Sequence, residues 1–366
     1  MQTGETMMQG SVLVLLQFNV SESIDLERLR ELILARAAKP PSPKHPAPEY
    51  IRYKNPPVSI PLEPLVLESG ERLHGEIKYY EYGVVGVVFE LAFSDGWSKL
   101  IGLASRWVWE IDFAAQAAAV VRSSLERAAP ALAKPYPSEE WLSEDYLIFH
   151  IREISGAPSA QELIRQHGAR IAQVVRGDMG QLSESECNEV LQSRISYYAN
   201  DLAVIGWNAA LLYDSASGAE TAIQLLEYAN SQLLEFRHYD ELLTKELTRV
   251  YTMLDEGTGA LARWRLARTA NQLHTVLLDV AELTEHVDNA IKFLSDMFTA
   301  RLYKLAASKV GVPDYKDLVT RKVETAEDLY RFMVEQFNQS RAFLLELTVV
   351  LILVVELVYL FRGKPF

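Results

Sequence analysis

Apolar residues recur four and three apart from Ala222 to Leu254, through Leu233, Phe236, Leu243 and Leu247. That spacing, kept for more than four heptads, is the seam of a long helix packed as a coiled coil. It resumes from Ala270 to Leu305 through Leu273 and Leu277. Gly257 and Gly259 stand between the two runs and permit a turn. The pattern predicts an antiparallel helical hairpin over 219–310, each arm roughly 50–70 Å long at 1.5 Å per residue. Gly311 and Pro313 would end the second arm, and a third helix would start near Val323.

Asp240 is the one charged residue in the first seam. A carboxylate in such a position must be paired or protonated. Folding about the two glycines places His274 opposite it, so an Asp240–His274 contact that sets the register is expected. An Asp at the seam edge reaching water is the other reading.

The third helix has a second constraint. Residues 342–361 read AFLLELTVVLILVVELVYLF, about the ~20 apolar residues that a helix needs to cross a bilayer. Glu346 and Glu356 interrupt the run, each costing on the order of 2.5–3.5 kcal/mol at membrane depth. The expected organisation is a C-terminal single-pass anchor at 342–361 on a helix covering 322–366, with the bulk of the chain cytoplasmic. Arg331 and Arg341 before the run balance Arg362 and Lys364 after it, so charge does not orient it.

The formal net charge of −13 argues against direct nucleic-acid binding, which needs an excess of Lys and Arg. One cysteine, Cys187, excludes an intramolecular disulfide and a multi-cysteine zinc site. The first residues, MQTGETMMQG, lack the basic start of a signal peptide.

The first 214 residues read as an α+β domain with a mainly antiparallel sheet. Val12–Val20 is a strand, and Ser21 or Ser23 caps a helix running to about Ala38. Nine of fifteen prolines fall between Pro40 and Pro64, so 39–64 is an extended, locally basic loop. Ile77–Phe93 is a long strand or a hairpin broken at Gly83 or Gly86. Asp95 caps a helix from Gly96 to Ser105, a strand follows over Arg106–Phe113, and Ala114–Ala128 is helical. Asp145–Ile154 and Asp201–Asp214 are strands, and Ser159–Val175 and Ser183–Ser193 are helices.

Three segments resemble the proteins named for Required for Meiotic nuclear Division, whose shared region is classed as a domain of unknown function. YYEYGVVGVVFEL, with Tyr82, Gly83, Val84 and Val85, is similar to that family's aromatic-Gly-Val-Val strand. LLEYANSQLLEFRHYDELLTKEL, with Arg237, Tyr239 and Asp240, is similar to its helical motif, and SRAFLLELTVVLILVVELVYLF to its C-terminal apolar helix. The resemblance implies a membrane-associated, oligomeric, non-enzymatic protein; process and partner do not carry over.

No nucleotide-binding glycine loop, HExxH or GxSxG is present. Glu282, Glu285 and His286 share one helix, but the repeated Glu-x-x-His of bundle di-metal sites is missing, so solvated charges explain them better. No catalytic, cofactor or metal residue is therefore expected. The leading reading is a membrane-anchored scaffold that forms homo-oligomers through its helices. One alternative is an adaptor tethering a cytoplasmic machine such as ribosomes through the basic stretch Lys39–Lys54. The other is an enzyme with a dispersed site in the α+β domain.

Overall fold

The computed structural model describes residues 6–34, 56–255, 268, 270, 272–281 and 297–363. It is a mixed α+β fold with a large, mainly antiparallel sheet and several helices. The strands are β1 (Met8–Asn19), β2 (Ser21–Ile24), β3 (Val58–Val66), β4 (Arg72–Tyr79) and β5 (Val84–Asp95), then β6 (Leu132–Pro135), β7 (Ser143–Ile154), β8 (Arg194–Ile195), β9 (Leu202–Ile205) and β10 (Ala209–Tyr213). The helices are α1 (Leu26–Leu34), α2 (Trp97–Trp109), α3 (Phe113–Ala128), α4 (Ala160–Arg176), α5 (Glu184–Gln192), α6 (Ala216–Asp255), α7 (residues 272–281), α8 (Met297–Val310) and α9 (Val312–Phe361).

Eight strands form one sheet in the order β3-β4-β5-β1-β7-β10-β9-β8, and β2 pairs with β6 beside it. Every neighbour in the large sheet is antiparallel except β7 and β10, which run parallel. The central strand β1 shows how the layers arise. Val12, Val14, Leu16 and Phe18 point to one face and join the main core with Trp97 and Trp107 of α2, Val121 of α3 and Leu163 and Ile171 of α4. The alternate residues Ser11, Gln17 and Asn19 are buried on the other face. With Leu13 and buried Leu15 also on that second face, period-two alternation separates a wholly apolar face from a mixed one that carries the buried polar groups.

Two compact units are present. The described residues up to 238, with 297–315, form the unit that holds the sheet; those of 239–281, with 316–363, form the other. The division therefore falls within α6, not at residue 214. The first half of α6 belongs with the sheet because Gln17, Lys78 and Tyr82 bind it.

Several local expectations are corrected. Asp25, not Ser21 or Ser23, caps α1 by accepting from the Arg28 backbone N–H; the serines lie in β2. Residues 39–55 of the proline-rich stretch lie outside the described residues. Its end is strand β3, and Pro61 and Pro64 are tolerated there because β3 is an edge strand. Arg106–Trp109 extend α2 instead of forming a strand: Trp97, Leu100, Ala104 and Trp107 are buried at helical spacing. Gly96, with no side-chain bond, replaces Asp95 as its cap. The strand expected over Asp201–Asp214 is the hairpin β9–β10, with Gly206 at its turn. The Ile77–Phe93 segment is a hairpin broken at Gly83, which takes a φ of 84°.

In the second unit, Leu243, Leu247 and Val250 of α6, Leu273, Leu277 and Val280 of α7, and Val319, Ala326 and Met333 of α9 are buried. A third helix thus joins what the heptads predict as a pair. Asp240 does not meet His274. Its carboxylate pairs with the Lys322 ammonium at 2.6 Å, while exposed His274 stacks on Tyr330 at 5.3 Å. The turn at Gly257–Gly259 lies outside the described residues. Helix α9 starts at Val312, earlier than expected: Gly311, with a φ of 96°, makes the whole break, and Pro313 fits the first turn, where no N–H is needed.

Helix α9 runs through the segment expected to be an anchor. Among the described residues, however, no helix is long and apolar enough to cross a membrane. The described apolar stretch is Leu345–Phe361, broken by Glu346 and Glu356 and followed by Arg362. Its side chains are exposed on every side of the helix.

Candidate functional site

Two places in the sheet-bearing unit gather polar and aromatic side chains. The first is a clasp between the polar face of the sheet and the first half of α6. Glu227 lies at its centre. Lys78 Nζ on β4 donates to Glu227 Oε1 at 2.6 Å, the Tyr80 hydroxyl approaches Oε2 at 3.4 Å, and Gln17 Nε2 on β1 donates to the Glu227 backbone carbonyl at 2.9 Å. Burial alone would lower the Lys78 pKa. The carboxylate beside it reverses the effect and holds the ammonium above its usual range.

One turn further along α6, the Tyr82 hydroxyl donates to Ser231 Oγ at 3.0 Å. Tyr80, Val84 and Leu234 form a small apolar core beside this bond, and Tyr80 stacks on Tyr82 at 5.4 Å. Gly83 makes the turn possible: its φ is positive, and a Cβ there would run into the Ser21 carbonyl oxygen. Two turns on, Arg237 donates to the Ser143 carbonyl and the Glu144 carboxylate at the start of β7. Burial outweighs the guanidinium and keeps the Glu144 pKa raised. The Tyr303 hydroxyl of α8 donates to Gln232 Oε1.

Glu235, on the part of α6 that forms the clasp, is almost wholly buried, and burial pushes its pKa up to about 8. Its side chain is therefore mostly neutral at pH 7. Gln17 Oε1 and Asn19 Oδ1 are buried acceptors without a donor among the described residues. With Glu227 held by an ammonium and Arg237 by a carboxylate, the clasp joins sheet to helix through paired charges.

The second place is an open cleft of about 640 Å³ beyond the C-terminal end of β10, where that strand runs parallel to β7 and leads into α6. Tyr197 and Tyr198 stand at its rim, 60% and 67% exposed. Their rings meet edge to face at 4.7 Å, and Tyr197 meets Phe298 of α8 at 5.0 Å. Asp201 fixes the tyrosine loop by accepting from the backbone N–H groups of Tyr197 and Tyr198, both at 2.7 Å. Asp214 accepts from the Ser215 N–H at 2.6 Å, and Ser215 Oγ accepts from the Gly218 N–H at the start of α6. Burial raises the Asp214 pKa, the Ser215 N–H opposes it, and the like charge of Asp201 raises it further.

The residues singled out by sequence divide between these units. Tyr82, Gly83, Val84 and Val85 lie at the β4–β5 turn and Arg237 on α6, and the clasp brings them together. Leu233 and Phe236 are buried on the same part of α6. Tyr239, Asp240, Leu243, Leu247, Leu273, His274 and Leu277 belong to the second unit. Glu282, Glu285 and His286 lie outside the described residues, and among the described residues no group of His, Cys, Asp and Glu could hold a metal ion. His150 is buried on β7 with Nε2 against the Asp214 carbonyl at 3.0 Å, and desolvation lowers its pKa. His167 packs on Trp97 and His238 on Tyr136. Sequence reasoning missed Lys78, Glu227 and Glu235. The signal available was a run of polar residues, Glu227, Asn230, Ser231, Gln232 and Glu235, on a helix otherwise apolar at heptad positions.

A sheet clasped by a long helix, with an acidic aromatic cleft at the end of a parallel strand pair, defines a mixed α+β protein with a helical extension. The chain belongs to the family described as uncharacterized protein MJ0711, N-terminal domain, whose model matches residues 9–220. The match covers the sheet and ends just inside α6. A relative, uncharacterized protein MJ0711 of Methanocaldococcus jannaschii, is 22% identical over 225 residues, covering 62% of this chain and 68% of that protein. No solved structure matches. Neither the family match nor the relative links the chain to the Required for Meiotic nuclear Division proteins.

Proposed function

We propose that the protein is a non-enzymatic scaffold held at a membrane by the end of α9. One observation carries this reading: Leu345–Phe361 exposes apolar side chains around the whole helix, from Val355 and Val358 at 47% to Phe361 at 85%. A helix apolar all round needs an apolar environment on every side, and one outside the core finds it in lipid. Seventeen residues lie at the short end of the range that spans a bilayer. Ala342, Phe343 and Leu344 precede them in the same helix, with side chains outside the described residues. Glu346 lies near one end and Glu356 near Arg362 at the other, where carboxylates reach the headgroups most cheaply.

The heptad residues Phe236, Leu243, Leu273 and Leu277 are buried within the single chain. Self-association, where it occurs, therefore draws on the exposed stretch of α9. The test compares the full chain with a version ending at Arg341, each fractionated and washed at high pH. Retention of the full chain alone in the washed membrane pellet supports the reading. A soluble full chain of high mass would instead make the α9 ends pack on one another.

A further inference from the structure

Lining the cleft at the end of β10 are the aromatic rings of Tyr197, Tyr198 and Phe298 and the carboxylates of Asp201 and Asp214, and among the described residues no Lys, Arg or His joins them. Its volume, about 640 Å³, falls in the range of small-molecule sites, roughly 300–1,000 Å³. Three features point to one ligand chemistry. Ring faces attract cations through their quadrupoles, most strongly where water is partly excluded. The two carboxylates repel each other; the described lining residues hold no cation, and His150, hydrogen-bonded to the Asp214 carbonyl, offsets only part of the Asp214 charge. The rim is pre-set, because Asp201 holds the backbone beneath both tyrosines.

We infer that this cleft binds a small organic cation, an amine or quaternary ammonium group, seated between the Tyr197–Tyr198 rim and Asp214. The apolar body of such a ligand rests on Leu212, Ala219 and Leu302, which line the same cleft. Both carboxylates retain lone pairs beyond those used by the backbone N–H groups. An anion would meet the start of α6 and neutral hydroxyl and amide donors, but no described cation, and both carboxylates would oppose it. The site is independent of membrane attachment, since every lining residue lies in the sheet-bearing unit.

The experiment is calorimetric titration of the full chain with tetramethylammonium chloride, a linear diamine, and their neutral isosteres tert-butanol and the diol of equal length. The two cations are expected to bind and the isosteres to bind at least about tenfold more weakly. Asp214→Asn keeps an acceptor for the Ser215 N–H, and Tyr198→Ala removes an exposed ring, so both are expected to keep the native melting temperature. Each should weaken cation binding about tenfold, a loss of about 1.4 kcal/mol. Absence of heat with both cations, equal binding of the isosteres, or undiminished binding to both variants would overturn the inference.

Discussion

Glu235→Gln should abolish a pH dependence of stability built into the α6 clasp. The Glu235 carboxyl has a folded pKa near 8 against 4.5 for the free side chain, and burial is the whole cause. The folded pKa is raised, so the folded state holds a proton that the unfolded state has lost. Stability from this group is fully present below pH 4.5 and drains away as pH rises toward 8. The slope is about 1.4 kcal/mol per pH unit, so the loss over the window is on the order of 4–5 kcal/mol. Glutamine has nearly the same shape and no charge to bury. Its amide carries a fixed burial cost of about 1–3 kcal/mol, which shifts its curve without tilting it. The measurement is urea denaturation of both proteins at pH 5, 6, 7 and 8, followed by tryptophan fluorescence. The variant should gain on the parent steadily across the series. Glu144, Asp145 and Asp214 also have raised pKa values, but they are common to both proteins and cancel in the difference. Parallel curves would refute the reasoning, because they would mean that Glu235 is ionised and stabilised in the folded chain.

Gly83→Ala should destabilise by about 2–4 kcal/mol, since it adds a Cβ at positive φ against the Ser21 carbonyl; a thermal melt within a degree of the parent would contradict the turn geometry. Lys78→Met leaves the Glu227 carboxylate buried and unpaired and should cost about 3–5 kcal/mol, with most recovered in Lys78→Met/Glu227→Leu; chemical denaturation of the two variants decides. A double-mutant cycle should find about 0.5–1 kcal/mol of coupling between Asp240 and Lys322, and none between Asp240 and His274.

The helices of the second unit were readable because their signal is local. Leu243, Leu247, Leu273 and Leu277 recur at heptad spacing, and all are buried. What covers them was not readable, because the same apolar stripe packs against one helix or two. Val319, Ala326 and Met333 carry a sparser stripe on α9, whereas the helix expected from sequence started only near Val323 and led to the anchor. The Asp240–His274 expectation failed for that reason: with a third helix present, Lys322 reaches the carboxylate first. The strand expected over Arg106–Phe113 failed because aromatic and β-branched residues such as Trp107, Val108, Trp109 and Ile111 look like a strand over so short a window, whereas the helical period shows only when Trp97, Leu100 and Ala104 are counted with Trp107.

The candidate sites divide in the same way. The turn at Gly83 was legible only in part, because Gly83 and Gly86 both permit a reversal and one long strand fits the same residues. Its partner on α6 was not, since Glu227 lies 149 residues from Lys78 and nothing local links them. The cleft at the end of β10 has no motif: it exists because the β7–β10 pair is parallel and α8 sets Phe298 against Tyr197.

The sequence by itself determined the class of elements, the long helices and the apolar stretch at the end of α9, because periodicity and composition act over neighbouring residues. Only the tertiary structure decided which face of the sheet α6 covers, that a carboxyl at 235 stays buried, and where two aspartates and three aromatic rings enclose a cleft. Those outcomes depend on desolvation and pairing between residues distant in the chain, which no local pattern encodes.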